Sequence, residues 1–175
     1  MRGTGLRCSG RLTGGCSAAG SPFGCAGAEA DDMANILLNV TASLLARDIG
    51  VALLRAGLHP GIGILHTTDD RRDAGVFDLM EEFRAPLSES TVAQAVNGRA
   101  ISGSDFEPGP QGGVRLTSEG YRSMIRVYER AAGREVRSQR DGRRRSWRGI
   151  IVDQALRLAA HVEGRESYAP YVLDY

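Results

Sequence analysis

At 175 residues and 42% apolar composition, the chain is long enough for one ordinary domain with a real core, or one domain plus a tail, and too short for several. All 22 basic residues are arginine and 21 acids oppose them, so a net charge of +1 names no partner by bulk charge. No apolar run approaches the roughly 20 residues of a membrane span, and no apolar block follows Arg2, Arg7 and Arg11 as in a secretory signal, so a cytoplasmic protein is the default expectation.

Residues 1–32 are glycine-, serine- and alanine-rich without a period of 2 or 3.6. They are expected to be a disordered or low-complexity tail, because such a stretch buries too little surface to offset its ordering entropy. Its cysteines, Cys8, Cys16 and Cys25, match neither a zinc knuckle nor a thioredoxin motif and read as free thiols of a reducing compartment. Order is expected to begin near Asp32, with Asp31 or Asp32 capping a long helix. Met33, Leu37, Val40, Leu44, Val51, Leu54 and Leu58 form one apolar stripe of it; Leu38, Leu45, Ile49 and Leu53 form a second. A helix apolar on two sides is a central one. Gly57 is its natural stop, followed by Pro60 and Gly61.

"VFDLMEEFRAP" predicts a helix ended by Pro86, and "LSESTVAQAVNGR" a shorter amphipathic helix stopped at Asn97-Gly98. Residues 100–116 read as an irregular crossing loop. "LTSEGYRSMIRVYERAA" restarts helix, capped by Thr117 or Ser118, with Tyr121, Met124, Ile125 and Tyr128 inward. "GREVRSQRDGRRR" is a basic connector. The last helix presents Trp147, Ile150, Ile151, Gln154, Ala155, Leu158, Ala159 and Val162 to the core, and "ESYAPYVLDY" leaves as an extended tail. The expected architecture is an all-α helical bundle spanning 33–165, with a tail at 166–175.

Chemistry concentrates around residues 63–84. Asp78 and Glu81 stand three apart, about 5–6 Å at Cβ on one side of a helix. Carboxylates held so close repel each other. A divalent cation removes that cost, and His66 is a candidate nitrogen ligand that tilts the choice from Mg²⁺ toward Mn²⁺. The competing reading is a solvated acidic face with a bystander histidine. Asp69, Asp70 and Asp73 read as loop or capping residues, His59 as a turn residue and His161 as exposed. Between Val114 and Arg148 eleven arginines face four acids, a local balance of 11 − 4 = +7. Arg122, Arg126 and Arg130 step by four; Arg143, Arg144 and Arg145 form a run. Arginine grips phosphate with paired hydrogen bonds, so this stretch is a candidate nucleic-acid surface; an acidic protein partner is the alternative. A hard metal beside such a surface is the requirement of phosphodiester chemistry.

"NILLN", "AGLHPGIGILH", "DLMEEFR", "GGVRLTSEGYR", "QALRLA" and "YAPY" together resemble the helical C-terminal domain of the CRISPR adaptation integrase, the endonuclease of spacer acquisition, over residues 34–173. The resemblance implies a metal-binding domain that dimerises and joins a small second adaptation protein. In that family a DNA 3′-hydroxyl of the spacer precursor attacks a phosphodiester of the CRISPR repeat. By position, His66 and Glu81 are similar to the metal ligands, Asp78 to a ligand or its neighbour, and Arg84 to a phosphate contact. The family's β-rich N-terminal domain, and the glutamate of an "EG" pair that is its third ligand, find no match in residues 1–32. The expectation is therefore a metal-dependent DNA endonuclease or integrase domain with Mg²⁺ or Mn²⁺, the alternative a catalytically dead remnant that binds DNA or a partner.

Overall fold

The first helix is the axis on which the other elements are hung. The computed structural model describes residues 33–63, 73–110 and 113–172; the low-complexity start, with its cysteines and the aspartates expected to cap the first helix, lies outside them. Helix α1 spans Met33–Arg55. It packs against α2 (Ala74–Phe83), α3 (Ser90–Asn97), α4 (Ser118–Gly133) and α5 (Trp147–Val162). By length and composition alone α1 is apolar enough to cross a membrane, a test that a core helix such as this one also passes, and Arg47 and Asp48 interrupt its apolar run. The second predicted stripe, Leu38, Leu45, Ile49 and Leu53, is buried throughout. The first one divides: Leu37 and Leu44 are buried, whereas Met33, Val51 and Leu54 are exposed. Periodicity marks where apolar residues recur, but the neighbouring helices decide which of them are covered.

The end of α1 follows the sequence closely. Gly57 adopts φ +81°. The Leu58 N–H donates to Leu53 O at 2.9 Å and the Gly57 N–H to Leu54 O at 3.1 Å, the paired bonds of a Schellman stop.

Pro86 does not end a helix. After α2 the chain runs through a π-helical turn, Arg84–Glu89, directly into α3. A proline here cannot donate to the carbonyl four residues back and its ring crowds that carbonyl. The wider turn accommodates both effects: the Ser90 N–H reaches back five residues to Ala85 O, and Ser90 Oγ donates to Pro86 O at 2.6 Å. The turn is tied to α1 where Ser88 Oγ donates to Thr41 Oγ1 at 2.9 Å, both residues being buried.

The all-α expectation holds for the bulk of the chain, with two additions. Residues read as an irregular loop contain an antiparallel hairpin, β1 (Phe106–Pro108) with β2 (Val114–Leu116). The basic connector is a second one, β3 (Glu135–Arg137) with β4 (Arg144–Ser146). Each strand has three residues, too few to reveal a period of two. Helix α4 is capped as expected: Thr117 Oγ1 accepts from the Gly120 N–H at 3.0 Å. Its inner face is Met124, Val127 and Tyr128, while Tyr121, expected inside, is exposed. On α5 the predicted residues are buried except Val162.

Two apolar clusters form the core. The larger joins α1, α2 and α5; the smaller joins the first half of α1 to α3 and α4 through Leu37, Val92, Ile101 and Met124. The extended tail folds back onto the larger cluster. Tyr171 stacks on Phe83, with centroids 5.9 Å apart and planes at 16°, and meets Trp147 edge-on at 5.9 Å.

Candidate functional site

Helix α2 carries the described acids of the expected metal site, and a glycine fixes its position. A Cβ on Gly75 would lie 2.5 Å from Ile62 O and 3.0 Å from Pro60 O. Only glycine lets the first turn of α2 approach the 60–62 turn this closely, and the Val76 N–H donates to Pro60 O at 3.2 Å across the contact. The chain segment leading toward His66 is thus held against the helix of Asp78 and Glu81 as far as Ile62.

Asp78 and Glu81 lie one turn apart, in different surroundings. Asp78 is 8% exposed, among Val76, Leu79 and Met80 on the buried side of α2. The Glu81 side chain is 55% exposed, and its Oε1 meets Arg84 Nη1 at 3.0 Å. Two oxygen donors at this spacing are of the kind a hard divalent cation takes. His66, Asp69 and Asp70 lie outside the described residues, and among the described residues no three His, Cys, Asp or Glu groups gather as a metal cluster. Asp73 occupies the N-cap position of α2 without a side-chain cap bond. His59 is a turn residue as expected, its Nδ1 accepting from the Gly61 N–H at 3.1 Å, and His161 is exposed.

Glu82, one residue further along, has a role that its sequence neighbourhood does not disclose. Its carboxylate accepts from Gln154 Nε2 at 2.8 Å, from the Tyr171 N–H at 2.8 Å and from the Tyr168 hydroxyl. Gln154 is 3% exposed and also donates to Ala169 O at 3.2 Å. Burial, then the Glu82 carboxylate, push the Tyr168 hydroxyl far above its ordinary range, so it stays a donor. The one local clue was a buried glutamine in an otherwise apolar stripe.

The arginines divide into committed and uncommitted sets. Arg126 and Arg122 share Glu119, at 2.9 and 3.5 Å. Arg145 is held by Asp141 at 2.8 Å and by Asp153. Arg148 joins Asp48 at 2.9 Å and Glu129 at 2.8 Å. Arg144 reaches Glu135 at 3.4 Å. Arg130, Arg134, Arg137, Arg140 and Arg143 are exposed and make no ion pair within 4 Å to another described residue. The expected ridge of Arg122, Arg126 and Arg130 therefore exists, with part of its charge offset by Glu119.

The relationships of the chain agree with this architecture. The family profile described as CRISPR associated protein Cas1 matches residues 27–130. A Thermus thermophilus protein, CRISPR-associated endonuclease Cas1 3, is 35% identical over 143 residues, 81% of this chain and 43% of the relative. The chain thus spans under half the length of that relative. Among solved structures, a CAS1 protein from Thermotoga maritima superposes with a TM-score of 0.70 at 27% identity, over 79% of this chain and 43% of the other. A casposase bound to its integration product shares the fold, with a TM-score of 0.72 at 24% identity over 81% and 40% of the two chains. A profile match over more than half of the residues and an extended alignment at this identity have one reading: the chain belongs to the Cas1 family of CRISPR-associated proteins.

Proposed function

We propose that the chain is the helical portion, residues 33–165, of a metal-dependent DNA endonuclease or integrase of CRISPR spacer acquisition. The observation that carries this reading is the placement of Asp78, Glu81 and Arg84 on adjacent turns in a chain of this family. Asp78 and Glu81 supply oxygen and His66 nitrogen to a Mg²⁺ or Mn²⁺ ion. His66 is three positions beyond Gly63, a reach of at most roughly 10 Å, and Gly63 follows the turn packed on the start of α2. When bound, such an ion draws charge from the scissile phosphate and activates the attacking oxygen.

The other groups bind and orient. Glu81 holds the Arg84 guanidinium beside the acids, where it meets a phosphate oxygen. Arg122, Arg126, Arg143 and Arg144 line the path of the strand, with Arg145, held by Asp141 and Asp153, supporting them, and fixing the strand lowers the entropic cost of reaction. A DNA 3′-hydroxyl, giving up its proton, forms the new P–O bond as the bond from the same phosphorus to the 3′-oxygen of the attacked strand breaks, and that oxygen leaves as a new 3′-hydroxyl. A second copy of the chain and the small second adaptation protein are the protein partners of this reading.

Two measurements test it. Millimolar Mn²⁺ should raise the melting temperature of this chain and not that of Glu81→Ala, since a ligand that binds only the folded state stabilises it. Glu81→Ala in a full-length relative should abolish integration while leaving that protein folded. Metal-independent melting of this chain favours a catalytically inactive module that binds DNA or a sister subunit; retained integration removes Glu81 from the site.

A further inference from the structure

The β3–β4 hairpin carries a charge arrangement that the fold neutralises only in part. Arg137 and Arg144 are directly opposed across the ladder, and both are exposed. Side chains of an opposed pair leave the same face about 4.5–5.5 Å apart at Cβ, where like charges weaken the pairing. Glu135 relieves Arg144 from 3.4 Å, while Arg137 makes no ion pair with another described residue.

The other face of the hairpin is fixed in place. Val136 packs against the larger core cluster. Its cross-strand partner Arg145 is braced by Asp141 and by Asp153 of α5. The tip is equally set. The Ser138 N–H donates to Arg143 O and the Gly142 N–H to Ser138 O, both at 2.8 Å, with Gly142 at φ +69°. Asp141 Oδ1 accepts from the Arg143 N–H at 3.1 Å, so this acid is committed inside the turn. Arg140 and Arg143 project from that tip with no ion pair to another described residue.

We propose that the outer face and tip of this hairpin form a clamp for the phosphate backbone of DNA, with Arg137 and Arg144 gripping it and Arg140 and Arg143 flanking. A phosphate between the opposed guanidiniums turns their repulsion into charge-assisted hydrogen bonds. The clamp rests on the nucleic-acid reading above. It adds Arg137 and Arg140 to that reading and makes Arg145 a brace from behind. Nucleic acid fits this face better than a protein does. Protein interfaces are depleted of charge at their centre and enriched in apolar and aromatic groups. Here the exposed residues from 134 to 144 are five arginines, Glu135, Asp141, Gln139 and Gly142. One tail residue also links the tip to α2: the Tyr171 N–H donates to Glu82, and a backbone hydrogen bond from Gln139 reaches the Tyr171 hydroxyl.

The test is binding of the full chain to a 20-base-pair duplex across a salt series. Each phosphate contact contributes about 0.9 to the slope of log K against log salt. Arg137→Gln/Arg144→Gln should flatten that slope by about 2 and weaken low-salt binding at least tenfold, equally for unrelated sequences. Its melting temperature should equal or exceed that of the parent, because an opposed pair of like charges has gone. Arg137→Gln alone, with a change of about 1, serves if the double variant fails to fold. Arg165→Gln, which removes an exposed charge paired with Glu163, should leave the slope as it was. An unchanged slope in the double variant, with duplex still bound, overturns the clamp and leaves the nucleic-acid reading standing. No salt-dependent duplex binding by the unaltered chain overturns both. Loss of polyglutamate binding with duplex affinity intact assigns the face to an acidic protein and overturns the clamp.

Discussion

Neighbouring acids on α2 have opposite roles. Glu82 is ringed by donors from α5 and the tail, whereas Glu81 stands exposed beside Arg84. Removing an acceptor leaves its donors buried and unpaired, which costs more than the bonds contributed. Glu82→Ala strips the partner from the Tyr171 N–H and one partner from Gln154, and should destabilise the chain by roughly 2–3 kcal/mol. Glu81→Ala removes a half-exposed ion pair and should stay within about 0.5 kcal/mol of the parent. Urea unfolding of the two variants side by side measures the difference; equal midpoints would mean that the tail is not held through Glu82. The contrast also bears on function, since an acid committed to holding the tail has no carboxylate oxygen to spare for a cation.

At the level of elements, the approach of α2 to the 60–62 turn depends on a missing side chain. A Cβ at residue 75 meets backbone oxygen, which cannot swing away as a flexible side chain would. Gly75→Ala should therefore cost roughly 1–3 kcal/mol and weaken Mn²⁺ binding more than Glu89→Ala, as calorimetry of the two variants would show. Such close approaches are invisible in a sequence, where Gly75 is one of 23 glycines. The helices were legible because apolar residues recur at three- and four-residue steps and because Gly57, Thr117 and Asn97-Gly98 punctuate them. Pro86 misled because a local rule, that proline stops a helix, yielded to a π turn satisfied by Ser90. The hairpins escaped because strands of three residues, rich in arginine, show no alternation. The three-residue spacing of Asp78 and Glu81 was legible; that one is buried and the other exposed was not, because the neighbouring elements decide which is covered. The role of Glu82 was not, because its partners lie 72 to 89 residues away along the chain.

Across the whole molecule, one charged network ties together α1, α4 and α5. Asp48 Oδ2 accepts from the Tyr128 hydroxyl at 3.0 Å and from Arg148 Nε at 2.9 Å; Arg148 also grips both oxygens of Glu129, at 2.8 and 2.9 Å. Burial, then the charge of Asp48, push the Tyr128 hydroxyl far above its ordinary range, so it remains a donor. The hydrogen bond from Arg148 holds the Glu129 carboxyl below its ordinary 4.5. Arg126 does the same for Glu119, and a backbone bond from Arg143 lowers Asp141 from 3.8. A carboxyl lowered by folding stabilises the native state above its unfolded value, and that contribution disappears as pH falls through the folded one. Stability should therefore be level from neutrality to about pH 5 and decline below about 4.5. Arg148→Met strips Glu129 of its two shorter bonds, leaving it Arg47 Nη2 at 3.4 Å, and leaves Asp48, whose side chain is 12% exposed, with the Tyr128 hydroxyl and Arg47 at 3.6 Å. The expected loss at pH 7 is about 2 kcal/mol, less than for a fully buried pair because Glu129 is reached by solvent. That deficit should shrink as the pH falls below about 4.5, through the lowered range in which Glu129 takes up its proton in the parent as well. Urea unfolding of both chains from pH 3 to 7 decides the matter: curves that remain parallel over the whole range would show that the acid limit of the fold is set somewhere other than this network.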